Sequence, residues 1–321
     1  MATPNATFTE LVTTTLRNHA RELVDNASNH NALLRLLKDK GKIETESGGY
    51  EIVRPIEYDG NTTYQRYAGY DVLNTSASES LTAVKYDWSQ AAIHVTASGA
   101  EIRKNSGPER MINLVKARIK AAMASASNSF SVDLYSDGAL TNQIGGLATL
   151  IQNDGTGTVG GIVSGTYTWW KNQFTEMSGT NTWSKSTIKG EMNKLWLKCV
   201  RGLDSPDLII ASHDIYAAYE EALQDNQRYM DAKMASAGFE ALKYKTASVI
   251  FDTNTNFGTT AEKAYFVNTD FLYLVEHPDA RWTEDDQKVP TNQDAVIVPM
   301  YWMGALVLSN RARQGVLIDA A

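Results

Sequence analysis

Cysteine is almost missing from this sequence, since only Cys199 among 321 residues carries a thiol. A single cysteine excludes an intrachain disulfide and fits a reducing compartment. Cys199 falls on the apolar face of a predicted helix, so we interpret it as a core residue rather than a nucleophile. None of the five histidines stands at H-E-x-x-H spacing, and there is no C-x-x-C pair. We therefore expect no metal site.

Long apolar runs are missing as well. No stretch is long enough to span a membrane, and the N-terminus has no basic segment leading into an apolar run, so we expect neither membrane association nor a signal peptide. G-x-S-x-G and P-loop motifs are absent. The net charge of −7 provides no global attraction to nucleic acid. We expect no catalytic activity and no cofactor.

One pattern, G-x-G-x-x-G at residues 155–160, has two interpretations. Such a pattern holds a pyrophosphate only where a strand precedes it and a helix opens on it. A short apolar segment precedes it, but residues 161–167 are a poor helix start. We interpret the pattern as a flexible glycine-rich linker and keep a nucleotide-binding enzyme as an alternative.

Ionisable residues form three groups that each have a functional and a structural interpretation. His213 and Asp214 follow a predicted helix cap at Ser212, and we interpret them as a solvated first-turn pair rather than an acid–base pair. The acidic residues 284–286 lack the spaced ligands and glycine of a calcium loop, which favours a solvated loop. The third group is a basic cluster with two interpretations: it faces an anionic partner such as packaged nucleic acid, or it only solvates the surface of a helix. Its members are Arg103, Lys104, Arg110, Lys116, Arg118 and Lys120.

A long helix is the dominant predicted element. Apolar residues recur at spacings of three and four from Ile112 to Leu134. Ser106 and Glu109 have the spacing of a capping box, and Pro108 suits the first turn. The helix from about Pro108 to Leu134 would be roughly 40 Å long, which makes it a frame on which other elements can pack.

Residues 43–97 are predicted to be β, with one long return strand through Val84 and Val95. This strand and an earlier one through Ile52 and Ile56 would form a two-stranded ribbon. The segment that joins them, residues 58–80, is rich in Tyr, Asn, Thr, Ser and Gly; we call it the ribbon tip. An exposed tip with several tyrosines indicates a surface that meets a partner. The alternative is a hairpin folded onto its own domain. The candidate interface residues are Tyr58, Tyr64, Arg66, Tyr67 and Tyr70.

The remaining segments predict two short N-terminal helices and a compact α/β region. The first helix covers the first twenty-odd residues, and the second runs from Ala32 to Lys40. In the α/β region we predict further helices and strands from apolar periodicity. One helix, capped by Ser184 or Ser186, runs to Arg201, and a second, capped by Ser212, passes through Ile215 and Leu223. The predicted strands lie at 206–211, 249–251, 265–267 and 271–275. The segment 295–317 is predicted to be β as well, on the strength of the apolar residues at 296–298 and 306–308.

This order of elements resembles the major capsid protein of tailed bacteriophages, and local sequence adds to the likeness. The runs are Gly145-Gly146-Leu147, Thr158-Val159-Gly160-Gly161-Ile162, Thr168-Trp169-Trp170-Lys171-Asn172-Gln173, Pro206-Asp207-Leu208-Ile209, Gly238-Phe239 and Phe251-Asp252. The resemblance implies an α+β, Hong Kong 97-like fold. Its parts would be an N-terminal arm (1–42), an E-loop ribbon with supporting strands (43–97), a peripheral domain with the spine helix (98–138 plus 296–321) and an axial domain (139–295).

The resemblance also implies a function and partners. The chain would be a structural protein that assembles into hexamers and pentamers of an icosahedral head enclosing double-stranded DNA. Scaffold and portal proteins would be partners, contact with packaged DNA would be non-specific, and assembly in the host bacterial cytoplasm would place the protein in the virion. An encapsulin-type compartment shell is the alternative within the same fold.

Two departures from the family's pattern lead to separate expectations. Some members carry a long N-terminal scaffolding segment, whereas here Met1 is followed almost at once by the predicted arm, so we expect a separate scaffold or none. Some members crosslink subunits through a lysine in the ribbon tip. No lysine lies between Arg54 and Val84, so that chemistry lacks its nucleophile.

Overall fold

The structure is a computed structural model that describes residues 32–61, 63–76, 79–104, 108–178, 184–224, 242–252, 263–285 and 288–320. The helices are α1 (Ala32–Asp39), α2 (Gly99–Lys104), α3 (Pro108–Asp133), α4 (Leu147–Leu150), α5 (Ile188–Cys199) and α6 (His213–Gln224). The first seven strands are β1 (Ile43–Thr45), β2 (Ile52–Glu57), β3 (Leu81–Tyr86), β4 (Ser89–Ser98), β5 (Thr158–Val159), β6 (Ile162–Val163) and β7 (Gln173–Ser178). The others are β8 (Leu208–Ala211), β9 (Leu242–Tyr244), β10 (Ala247–Phe251), β11 (Lys263–Val267), β12 (Leu272–Glu284), β13 (Ala295–Leu308) and β14 (Gly315–Ala320).

The predicted long helix is confirmed as α3, and it packs on a four-stranded sheet. The strand order is β1-β12-β13-β4. Among the α3 residues whose burial is described (118–133), the buried apolar ones recur at helical spacing and are Ile119, Met123, Ala126 and Phe130. The Phe130 ring meets Trp302 of β13 at 4.7 Å between centroids. The predicted cap at Ser106 lies outside the described residues.

A second, six-stranded sheet forms the other half of the fold. Its order is β7-β14-β11-β8-β10-β9. β8 reads Leu-Ile-Ile-Ala and is buried at every position, as expected for a strand covered on both faces. Ile209 packs in the cluster formed with α5 and α6. Leu208 and Ile210 point the other way, into the core that also contains Phe130 of α3.

Two strands, β12 and β14, lie in a different half of the fold from the one predicted. The predicted ranges assign β12 to the axial domain and β14 to the peripheral domain. Hydrogen bonding instead places β12 in the sheet under α3, where it pairs with β13. It places β14 inside the six-stranded sheet, between β7 and β11. Both halves are therefore built from segments distant in the sequence.

The single long return strand predicted from Val84 to Val95 is wrong. The chain forms β3 and β4 with a break at residues 87 and 88, because the two strands have different partners. β3 pairs with β2, whereas β4 pairs in unbroken register with β13, from Ser89 opposite Gly304 to Ser98 opposite Ala295.

The predicted second helix is confirmed as α1, whose Leu33, Leu34 and Leu37 join the core. The predicted first helix lies outside the described residues. Within the residues described, no helix combines the length and apolarity needed to cross a bilayer.

Candidate functional site: the ribbon and its tip

The ribbon is the antiparallel pair β2–β3, with Ile52 opposite Tyr86 and Glu57 opposite Leu81. Because successive side chains point to opposite faces, the ribbon has one buried and one exposed face. Ile52 and Val84 are fully buried on the inner face. The outer face exposes Leu81, of which 73% is accessible. Apolar surface on that face remains available to a partner.

An aromatic stack holds the start of the tip. Tyr58 lies on Trp169, with 5.3 Å between ring centroids and 24° between ring planes. Its backbone N–H donates to the Ser80 carbonyl at 3.0 Å, which closes the tip at its base. The neighbouring Trp170 is buried and donates from Nε1 to the Val159 carbonyl at 2.9 Å. Tyr58 is therefore engaged within its own chain.

The glycine pattern at residues 155–160 forms part of this base rather than a nucleotide site. β5 and β6 form a hairpin, and its turn residues Gly160 and Gly161 have φ of +61° and +76°. Positive φ at both turn positions is typical of a type I′ turn. The chain then continues into β6 instead of a helix. The geometry that a nucleotide-binding enzyme would need is therefore not formed, and the linker interpretation is also wrong.

Gly160 brings the hairpin into close contact with the ribbon. Its carbonyl accepts a hydrogen bond from the Lys85 N–H at 3.0 Å. A Cβ at this position would lie 2.9 Å from the Cβ of Val84, which is closer than real Cβ contacts. The glycine is required for both its φ and its proximity to β3.

We expect Gly160→Ala to lower the free energy of unfolding by about 2–4 kcal/mol, because it adds overpacking against Val84 to the cost of a left-handed alanine. Gly161→Ala is the matched control, since its φ is +76° and nothing lies within 4 Å of its Cβ. The control should cost about 1–2 kcal/mol. Urea unfolding of both variants measures the difference, and equal losses would show that the Val84 contact is unimportant.

Arg311 connects the loops beneath the ribbon and is fully buried. Its guanidinium donates to the carbonyls of Leu150 (Nε, 2.8 Å), Thr156 (Nη2, 2.8 Å) and Trp170 (Nη1, 3.4 Å). Burial disfavours the charged form and lowers the pKa of Arg311 to about 10. The sequence did not indicate this role of Arg311, because a single arginine forms no motif that distinguishes it from other arginines.

Tyr86 ties the ribbon to the four-stranded sheet. Its hydroxyl donates to the Leu308 carbonyl at 2.9 Å and accepts from the Leu308 N–H at 3.3 Å. Burial raises the pKa of this hydroxyl well above its ordinary value. The phenol therefore stays neutral and keeps both hydrogen bonds.

The tip itself is ordered by polar side chains and exposes its aromatic ones. Gln65 donates from Nε2 to the Val72 carbonyl at 3.0 Å and accepts from the Asn74 N–H at 3.2 Å. Asp71 accepts from the Ala68 N–H at 2.8 Å. The polar groups thus hold the loop in shape without burying its apolar side chains.

Four of the five predicted interface residues are exposed at the tip. The accessible fractions are 82% for Tyr64 and 66% for Tyr67, and Tyr70 is fully exposed. Arg66 is exposed too. The fifth, Tyr58, is half-buried against Trp169, so it supports the base instead. Three tyrosines exposed within one loop of seven residues offer apolar surface of the kind that marks interaction sites.

The other ionisable residues singled out in the sequence have structural roles where they are described. Cys199 is buried, and burial raises the pKa of its thiol to about 12, which confirms a core residue. His213 Nδ1 lies 3.4 Å from Asp214 Oδ1 with both side chains mostly exposed, which confirms a solvated pair. Asp285 pairs with Lys288 at 2.9 Å. The side chains of Glu284 and Asp286 lie outside the description.

Only part of the predicted basic cluster is described. The Arg118 guanidinium pairs with Glu101 and donates to the Thr96 carbonyl, so it is engaged within the chain. Lys120 is exposed. The side chains of Arg103, Lys104, Arg110 and Lys116 lie outside the description, and an anionic partner for the cluster stays a prediction.

Comparison with known proteins gives structural matches without sequence matches. No family model and no curated protein matches the chain. A chain of the cyanophage A-1(L) capsid asymmetric unit matches with a TM-score of 0.65 at 14% identity, covering 87% of this chain and 90% of that one. The capsid of Myoviridae phage XM1 matches with a TM-score of 0.56 at 12% identity, covering 88% and 92%.

The holo-SrpI encapsulin complex from Synechococcus elongatus PCC 7942 matches as well, with a TM-score of 0.52 at 9% identity, covering 86% of this chain and 84% of that one. At these identities the matches define the architecture. The spine helix on its sheet, the two-stranded ribbon and the mixed sheet with α5 and α6 all occur in one chain. The chain therefore has the α+β, Hong Kong 97-like fold found in tailed-phage major capsid proteins.

Proposed function

We propose that this chain is the major capsid protein of a tailed bacteriophage. It assembles through hexamers and pentamers into an icosahedral head that encloses double-stranded DNA. The observation that carries the proposal is an ordered ribbon whose tip presents Tyr64, Tyr67 and Tyr70 to water, within a fold shared with phage capsids.

The exposed tip supports assembly on energetic grounds. Each tyrosine that leaves water for an interface contributes on the order of 2 kcal/mol. One such contact is too weak to hold two subunits, because association costs several kcal/mol in lost freedom. Several contacts per subunit act together, since linked binding events multiply. A closed shell then becomes stable without any strong single site.

The proposal includes partners and a location. The chain binds copies of itself, a scaffold and a portal protein direct the assembly, and packaged DNA contacts the shell non-specifically. Assembly takes place in the host bacterial cytoplasm and the product is the virion. The chain acts as a structural protein and not as an enzyme.

An encapsulin-type compartment is the second candidate. The similarity to an encapsulin complex favours it as an alternative. The two shells differ in content, because a phage head holds DNA and a compartment holds cargo protein. Nuclease-protected DNA in particles purified from cells would support the first function, and a stoichiometric cargo protein would support the second.

The central test is assembly of the purified full chain, alone and co-expressed with a candidate scaffold. We expect capsomers and closed shells in electron micrographs. Mature particles boiled in detergent and reductant should release one band at 35.4 kDa, because residues 55–83 contain no lysine and Cys199 is buried. A monomeric mass by light scattering under all these conditions would contradict the proposal, and a ladder of larger bands would reveal a covalent link.

A further inference from the structure

An aspartate is most prone to spontaneous rearrangement of its peptide bond when glycine follows it. The glycine nitrogen attacks the aspartate Cγ, and the missing glycine Cβ leaves that approach unhindered. The sequence contains three such pairs, Asp59-Gly60, Asp137-Gly138 and Asp154-Gly155, and no Asn-Gly pair. The structure describes all three, and each carboxyl group is held differently.

The Asp154-Gly155 pair is locked by hydrogen bonds on both partners. The Asp154 carboxylate accepts from the Thr156 hydroxyl at 2.5 Å and from the Thr156 N–H at 2.9 Å. These bonds keep the pKa of Asp154 below its ordinary value, so the carboxyl stays ionised and is a poor electrophile. The Gly155 N–H donates to the Gln152 carbonyl at 3.2 Å. The nitrogen that would attack is therefore engaged elsewhere.

The Asp137-Gly138 pair holds its carboxyl on the wrong nitrogen. Asp137 Oδ1 accepts from the Ala139 N–H at 3.1 Å, one residue beyond the amide that would react. The glycine is also covered on one side, because a Cβ at Gly138 would lie 3.1 Å from Thr149 Oγ1. Ring closure here requires the aspartate side chain to leave a hydrogen bond and to turn in a restricted space.

The Asp59-Gly60 pair, near the start of the ribbon tip, has the reactive arrangement. Asp59 Oδ1 accepts from the Gly60 N–H at 2.8 Å, so the carboxyl group already lies against the nitrogen that attacks it. Both residues are exposed, and nothing lies within 4 Å of a Cβ built on Gly60. The two residues therefore have room for the planar five-membered ring, and water has access to it.

We propose that Asp59 is the site at which this chain spontaneously forms isoaspartate. The Gly60 nitrogen attacks Cγ of the protonated Asp59 carboxyl, its proton and the carboxyl hydroxyl leave as water, and a succinimide forms. Water then adds to the main-chain carbonyl of residue 59 and breaks its bond to the Gly60 nitrogen, which stays bonded to Cγ. Water adding at Cγ instead restores aspartate. One water leaves and one returns, so the mass is unchanged and no cofactor is required.

Isoaspartate at this position changes the base of the tip. The main chain then passes through the Asp59 Cβ and is longer by one atom. The preceding residue, Tyr58, closes the tip through its N–H to the Ser80 carbonyl and stacks on Trp169. An extra atom beside this anchor shifts Tyr64 and the residues after it relative to the ribbon. A loss of assembly in aged, unassembled chain follows from this shift and rests on the proposed function, whereas the chemistry itself does not.

Peptide mapping of the purified full chain tests the chemistry. The chain is aged at mildly acidic pH, and electron-transfer fragmentation identifies isoaspartate at each of the three pairs. We expect isoaspartate at Asp59 to accumulate at least about tenfold faster than at the other two pairs, because Gly60 is unhindered and hydrogen-bonded to the carboxyl that it attacks. In urea the three pairs should react at similar rates, since the fold no longer distinguishes them. Equal rates in the folded chain, or a faster rate at Asp137, would overturn the proposal.

Two variants control the assignment. Gly60→Ala keeps the carboxyl and adds a Cβ in open space, and Gly60 does not have the positive φ that alanine avoids. We expect this variant to fold normally and to form isoaspartate about tenfold more slowly, because the Cβ hinders the attack. At neutral pH, Asp59→Asn should react faster than the wild type, because ammonia leaves an amide without the prior protonation that a carboxylate requires. Isoaspartate forming in Gly60→Ala at the wild-type rate would overturn the attack by an unhindered glycine.

Assembly of the aged chain separates this inference from the proposed function. We expect the aged wild type to lose shell formation in proportion to its isoaspartate content, while Gly60→Ala aged in parallel still assembles. If isoaspartate accumulates at Asp59 and the aged chain forms normal shells, the effect on assembly is overturned and the shell function stands. If the fresh chain never assembles, the proposed function fails, and peptide mapping still decides where isoaspartate forms.

Discussion

Replacing residues 59–79 with a short Gly-Ser turn is expected to leave the chain folded and to abolish shell formation. Tyr64, Tyr67 and Tyr70 are exposed, so their loss removes little from the core. The replacement keeps the Tyr58–Ser80 hydrogen bond that closes the ribbon. The free energy of unfolding should change by less than about 1 kcal/mol, because substitutions outside the core have small effects. Circular dichroism and electron microscopy measure the two results.

A variant of unchanged length tests whether assembly depends on the tyrosine side chains or on the loop backbone. Serine at positions 64, 67 and 70 keeps the backbone contacts of Gln65 and Asp71 and removes the aromatic surface. We expect this serine variant to fail in assembly, as the variant with the Gly-Ser turn does. If the Gly-Ser replacement unfolds the chain, the tip belongs to the intrachain core. If either variant forms normal shells, the tip is not an interface.

Arg311→Met is expected to destabilise the fold by about 3–5 kcal/mol, because it leaves up to three buried main-chain carbonyls without their donor. The guanidinium satisfies three main-chain carbonyls in a buried site. A buried carbonyl left without a donor costs about 1–3 kcal/mol, and methionine has no N–H to replace the lost donors. Urea unfolding of the purified chain gives the change.

Two variants control this prediction. Arg66→Met removes an exposed arginine and should change stability by no more than about 0.5 kcal/mol. Arg311→Lys should be intermediate, because a lysine keeps the charge but not the fork of donors that reaches three carbonyls. A loss below about 1 kcal/mol in Arg311→Met would mean that water replaces the guanidinium.

The spacing of apolar residues was sufficient to predict an element where the same kind of environment extends along its whole length. α3 was predicted because its apolar residues repeat at helical spacing over several turns and meet one continuous sheet face. β8 was predicted because a strand buried on both faces is apolar at every position. The exposed tip was predicted because a long polar segment with tyrosines cannot bury itself in a core.

Contacts between distant segments could not be predicted in the same way. The break between β3 and β4 follows from their different partners, and neither partner is adjacent in the sequence to the break. Tyr58 was grouped with the tip because its stacking on Trp169 joins residues far apart in the chain. The glycine pattern was misinterpreted for the same reason, since Gly160 is required by its contact with Val84.

The sequence by itself determined the long helix α3, the β-rich stretch before it, the exposed tyrosine-rich tip and the absence of familiar catalytic motifs. These features depend on residue type and local spacing, which any window of the chain contains. Only the tertiary structure decided which sheet holds β12 and β14, that Arg311 supports the ribbon, and that Tyr58 stacks on Trp169. These features depend on pairing across long loops, whose free energy comes from the completed core rather than from any single segment.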